Sequence, residues 1–294
     1  MTQNLLPEAV ALVAACLFGG VAVISKVALR HSPPYTGTVV FAVVAVLFVA
    51  PWTPWWLFLK KGSWEGTLWF FLSGIVHPGL AVTLFLIGSR RLGVSRTTSI
   101  SSAAPLIGVI VGVIILGERP GVAIWLGGLC IVAGIVAISG EKPEGAFEAK
   151  DLLYPLLSGF AFGLAPVLRK LGLNHIPSIP YGVGVAGLGG LIGLGAVVRA
   201  FPEGERLRLE RRGLPLFALA ASLALVARLL FFDALKRGDF SRVVFLINTT
   251  PVFVLLLSWV ALRGSERLTP RLVGGTVAVV VGVWAVTMGS DTGG

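Results

Sequence analysis

The chain has 294 residues, 55% of them hydrophobic and only 13% charged, with a mean hydropathy of +0.90. Soluble domains carry about 25% charged residues, and a soluble core of this length cannot hide so much apolar surface, so the solvent of this chain is lipid. The net charge of +10 falls between apolar stretches, which reads as membrane flanks rather than a nucleic-acid-binding face.

A membrane span needs about 20 apolar residues. Candidates in chain order are 7–29, 35–52, 66–89, 94–116, 121–139, 152–171, 178–199, 213–235, 240–263 and 270–289. The first has no basic segment before it and reads as a retained span rather than a cleaved signal peptide. It ends near Lys26. The third carries His77 at its middle, before Pro78 and Gly79. The fourth holds Ser101, Ser102 and Pro105, and Gly117-Glu118-Arg119 precedes the fifth. The polar stretch 140–151 is the natural boundary between two halves. Lys170 ends the sixth span, and both it and Arg169 count with the flanking basic residues. Arg228 lies two-thirds along the eighth. Asn248, Thr249 and Thr250 stand just before Pro251 in the ninth, and Ser265-Glu266-Arg267 precedes the tenth. Cys16 and Cys130 both sit in apolar runs and offer no disulfide framework or Cys-rich metal site. The arginines of the 199–212 loop tilt the positive-inside balance toward external termini, and without them the two faces nearly match.

The halves repeat one another. Ser95-Arg96 and Pro105 recur as Ser241-Arg242 and Pro251 at a shared offset of 146. Phe18-Gly19 and Lys26 match Phe162-Gly163 and Lys170 at offset 144, and Gly134 matches Gly282 at offset 148. Five spans per half is an odd number, so the second half enters the membrane from the opposite side. The expected fold is an all-α membrane protein of ten transmembrane helices, arranged as two inverted five-helix repeats at 7–140 and 151–289.

These residues resemble the drug/metabolite transporter superfamily, specifically its EamA-type ten-span permeases. The resemblance rests on the ordered series of Ser-Arg step, proline, Gly-Glu-Arg turn and Gly-rich fifth span (Gly127, Gly128, Gly134; Gly274, Gly275, Gly282), present in both halves. It covers about residues 7–289. Two departures stand out: Phe18 replaces the family's usual span-one Trp, which puts an expected pocket aromatic in doubt, and Ser265 interrupts the second Gly-Glu-Arg. The resemblance implies movement of metabolites or drugs through a central cavity between the halves, with spans five and ten peripheral.

Ionisable groups deep in a membrane are expensive and usually face a cavity or a partner. Arg228 can grip a carboxylate or phosphate with two parallel hydrogen bonds, or it can pair with Asp233 or snorkel toward the nearer end. His77 can relay protons near neutral pH or simply pack. Asn248, Ser101 and Ser102 can hydrogen-bond substrate or satisfy carbonyls freed by the prolines. Lys26 and Lys170 read as interfacial anchors or as gates at opposite mouths, and Pro105 and Pro251 as hinges. Glu118 and Glu266 read as caps of the helices they precede, with proton coupling the rival reading. Gly108/Gly112 and Gly189/Gly193 suit close helix packing within the chain, or dimerisation.

No Asp or Glu stands mid-span, while Arg228 and His77 do, which favours anionic or zwitterionic substrates such as amino acids. The expected function is secondary active export of small metabolites by alternating access, in the plasma (inner) membrane of a prokaryote. The protein is expected as a monomer or homodimer, without cofactor or metal, with a proton as one candidate coupling ion. No Walker-type loop is present to couple ATP. A flippase for a lipid-linked head group is the alternative. An intramembrane enzyme is less favoured, because neither a His-Glu-x-x-His motif nor a buried carboxylate pair is present.

Overall fold

The computed structural model describes residues 6–28, 31, 34–49, 51, 64–92, 97, 100–139, 149–200, 213–261 and 270–289. Ser95, Arg96, Glu266 and Arg267 lie outside the described residues. Every regular element described is helical: α1 Leu6–Ala28, α2 Pro34–Val49, α3 Trp64–Gly74, α4 Ala81–Leu92, α5 Ala104–Leu116, α6 Val122–Ser139, α7 Leu153–His175, α8 Ile179–Ala200, α9 Leu214–Arg237, α10 Phe240–Ile247, α11 Thr250–Ala261 and α12 Pro270–Met288. A widened segment, Ile75–Leu80, joins α3 to α4. A single 3-10 turn, Ala149–Leu152, leads into α7.

Among the described residues, six helical segments have the length and composition to cross a bilayer: Leu6–Ala28, Trp64–Phe85, Lys150–His175, Ile179–Ala196, Leu214–Arg237 and Phe240–Ser258. Shorter apolar helices accompany them at Ala104–Leu116, Val122–Ile138 and Val273–Met288. This is a multi-pass membrane protein. Its outward surface is apolar, as lipid requires: Ile114, Leu126, Leu129, Val277, Val281 and Trp284 are all exposed.

Helices of the first half pack on helices of the second. α1 lies on α9, α10 and α11; α3 lies on α7 and α8; α5 lies on α7; α6 lies on α12. Lipid supplies no hydrophobic drive between helices, so close backbone approach matters. A Cβ on Gly282 would sit 2.5 Å from the Gly127 carbonyl, and one on Gly134 would sit 2.5 Å from the Gly275 carbonyl. Only glycine therefore fits at Gly134 and Gly282 in the α6–α12 seam. Gly108 packs on Gly163, and Gly189 and Gly193 pack on the backbone of Phe71 and Ile75. These glycines serve contacts within the chain.

Proline chemistry sets the breaks. The residue before a proline is pushed out of the α region, and His77 is extended (φ −145°, ψ 116°) before Pro78. Pro105 and Pro251 each stand at the second position of a helix that restarts after a turn, at 102–103 and 248–249. A missing N–H costs little there.

Candidate functional site

The break at Pro78 turns both the ring and the carbonyl of His77 toward α7. Arg169 of α7 places Nη2 2.9 Å from His77 Nδ1 and 3.4 Å from the His77 carbonyl. Its guanidinium also lies 5.7 Å from the ring centroids of both Phe231 and Phe232 on α9, a cation–π cradle. The Phe162 ring stands 5.1 Å from the His77 ring and 6.4 Å from Phe85. Phe162 is the second-half counterpart of Phe18 in the repeat, so an aromatic from that motif does reach the centre.

Arg228 completes the group from α9. It stands one helical turn before Phe232, whose ring lies against the Arg169 guanidinium, and among the described residues none of the three forms an ion pair with a carboxylate. Asp233 bonds Arg237 at 2.8 Å instead. Arg228 and His77 are each partly buried. Arg169 is buried at 6% exposure, and its Nε has no hydrogen-bond partner.

Sequence reading found Arg228 and His77 but missed Arg169, which it counted as a flank beside Lys170. α7 continues to His175, six residues further. Adjacent helical residues point about 100° apart, so the two cations part company. Arg169 turns inward, while Lys170 donates to the carbonyls of Leu235 at 2.6 Å and Gly238 at 3.3 Å, at the C-terminus of α9. A cation there suits both the unpaired carbonyls and the helix dipole.

The remaining candidates sit as follows. Ser101 is buried and donates to the Pro155 carbonyl at 3.1 Å. Ser102 is buried beside it. Asn248 Nδ2, Thr249 Oγ1 and Thr250 Oγ1 donate to the carbonyls of Val244, Leu246 and Ile247, at 2.7, 2.7 and 2.8 Å. The side chains of Asn248 and Thr250 reach carbonyls at the break before Pro251, while the Leu246 carbonyl also accepts the Thr249 backbone N–H at 3.1 Å. Lys26 stands in the last turn of α1.

Glu118 caps a helix, but not the one it precedes. Its carboxylate accepts the backbone N–H of Phe240 at 2.6 Å and of Ser241 at 2.8 Å, and the Ser241 hydroxyl at 2.5 Å. The first Gly-Glu-Arg turn thus holds the second Ser-Arg step across the two halves. Arg242 donates to the Gly289 carbonyl at 2.6 Å and faces Glu8 at 3.6 Å. This end of the bundle ties the start of α1, the loop after α5, the start of α10 and the end of α12 together. At the opposite end Arg91 bonds Asp151 at 2.9 Å. Among the described residues, no three His, Cys, Asp or Glu side chains group as metal ligands.

A model of the EamA-like transporter family matches the chain twice, over residues 5–140 and 150–288. An uncharacterized transporter of Bacillus subtilis, YwfM, is 31% identical over 137 residues, a match covering 44% of each chain. The permease-like protein YdzE of the same organism is 33% identical over 71 residues, covering 24% of this chain and 91% of that protein. The match with YwfM thus spans under half of that relative's length. A solved crystal structure superposes with a TM-score of 0.75 at 17% identity, over 95% of both chains. That is a likeness of fold.

Proposed function

The chain belongs to the EamA-like transporter family, and from that premise we propose that it is a secondary transporter of small anionic or zwitterionic metabolites. It works by alternating access between two inverted five-helix repeats, 7–140 and 151–289. The observation that carries this reading is the Arg169–His77–Arg228 centre: two guanidinium groups and an imidazole within apolar helices, none of them ion-paired to a carboxylate among the described residues. A buried charge without a partner is strongly unfavourable. A centre of this kind is stabilised when an anion arrives and is penalised when it stands empty.

Three further features support the reading. The family and the relatives' names point to transport rather than catalysis. The centre is built from α3–α4 of one half and α7 and α9 of the other, so movement between the halves alters it directly. The bundle ends carry different polar ties, Glu118 with Ser241 at one and Arg91 with Asp151 at the other, which suits alternate opening. Both relatives are bacterial, and we place the protein in a prokaryotic plasma membrane, with export as its direction. An ion gradient, a proton among the candidates, or exchange supplies the energy.

The test is uptake and counterflow of a panel of small carboxylates, phosphates and amino acids in proteoliposomes, with and without a pH gradient. Exchange of an anion or zwitterion is the expected result. Transport confined to organic cations would sink the reading.

A further inference from the structure

The transport reading leaves the substrate's charge open, and the geometry of the centre narrows it. We infer that the Arg169–His77–Arg228 centre is a dianion site, selecting a small molecule with two negative charges, a phosphate monoester or a dicarboxylate. This inference rests on the transport reading.

The first ground is that the centre offers donors. A guanidinium has five N–H donors and no acceptor. Arg169 Nη2 lies 2.9 Å from His77 Nδ1, and only the arginine can donate in that pair. Nδ1 therefore accepts, and the proton of the neutral ring stands on Nε2. Arg169, Arg228 and His77 Nε2 all present hydrogens. The His77 carbonyl, an acceptor beside them, already faces Arg169 at 3.4 Å.

The second ground is an unmet donor. Arg169 Nε is buried without a partner, although the rest of its guanidinium is fixed by His77 and by the faces of Phe231 and Phe232. Burying a donor unpaired is unfavourable, and an oxyanion at this edge removes the penalty.

The third ground is the count of charges. Two cations share this region, since Arg228 stands one helical turn before Phe232, whose ring lies against Arg169, and among the described residues neither forms an ion pair with a carboxylate. The nearest carboxylate along α9, Asp233, is bound to Arg237. A monoanion neutralises one guanidinium and leaves the other buried with its charge. A zwitterion brings an ammonium into the field of two like charges. A dianion neutralises both, and a phosphate monoester carries about −1.5 to −2 at pH 7.

The experiment compares isosteres on the full purified chain. Binding of glycerol phosphate is measured by thermal stabilisation against its sulfate ester, which has the same tetrahedral head with one negative charge fewer. Succinate, lactate and alanine complete the set, and counterflow of each is followed in proteoliposomes. The phosphate ester is expected to bind roughly tenfold or more tighter than the sulfate ester, the low end of what a desolvated charge pair contributes. Succinate is likewise expected to exceed lactate and alanine. Whichever dianion binds tighter identifies the head group. Arg169→Gln and Arg228→Gln are each expected to bring the phosphate-to-sulfate ratio close to one.

Equal or tighter binding of the sulfate ester, lactate or alanine overturns the inference, as does the absence of dianion binding at millimolar concentration. The wild-type comparison needs no variant to fold. Counterflow of lactate or alanine without dianion preference removes this inference alone. Failure of every anion to exchange removes the transport reading beneath it.

Discussion

Glu118 and Ser241 provide a direct test of how the halves are joined, through Glu118→Ala, Ser241→Ala and the double substitution. Glu118 accepts three hydrogen bonds at the start of α10, at 2.6, 2.8 and 2.5 Å. Losing an N-cap carboxylate costs about 0.5–2 kcal/mol, and bonds to a charged group contribute about 1.5–3 kcal/mol each when desolvated. Glu118 is half-exposed, so a total near 2 kcal/mol is the expected loss for Glu118→Ala, well below the simple sum. Ser241→Ala removes one of the three bonds and leaves both N–H groups capped, for about 1 kcal/mol. The Ser241–Glu118 bond is lost in either single variant, so the double variant is expected to fall short of additivity by about 1 kcal/mol. Equilibrium denaturation of the detergent-solubilised chain measures all four species. Additivity within about 0.3 kcal/mol would refute the cross-half cap.

Neighbouring glycines of α12 are expected to behave oppositely. Gly275→Ala drives a Cβ to 2.8 Å from the Gly134 carbonyl, whereas Gly274→Ala meets nothing within 4 Å, so thermal unfolding is expected to show a loss of roughly 1–3 kcal/mol for the first and none for the second. Lys170→Met removes the donor to the Leu235 and Gly238 carbonyls; stability is expected to fall by about 1 kcal/mol, with substrate affinity in a binding assay retained. Asp233→Asn breaks a pair with Arg237 rather than with Arg228, so transport in proteoliposomes is expected to match the unsubstituted chain.

The membrane class and the positions of the apolar helices were legible because lipid imposes a one-dimensional rule on the sequence. Arg228 and His77 stood out for the same reason, as polar side chains inside apolar runs. Arg169 did not, because it sits next to Lys170 near a helix end, where paired cations usually mark the interface. The signal was present in the apolar residues that follow. Leu171 and Leu173 continue the helix past the cations, and Leu173 shares the inward face of Arg169 with Ala165. Glu118 shows a different limit. Its cap joins residues 123 positions apart, and a local rule assigns it to the helix beside it. Only the packing of one half on the other brings it to α10. For Asn248, Thr249 and Thr250 the sequence left substrate contact and carbonyl bonding open, and their bonds to the carbonyls of Val244, Leu246 and Ile247 depend on the local turn before Pro251.

The central claim is that Arg169, Arg228 and His77 receive a travelling anion. Exchange of a labelled small anion across proteoliposomes, by the unsubstituted chain and by Arg228→Ala shown to be folded, tests it most directly. Exchange is expected from the unsubstituted chain and a loss of roughly tenfold or more from the variant. Full exchange by folded Arg228→Ala, or no anion exchange by either protein, would contradict the account.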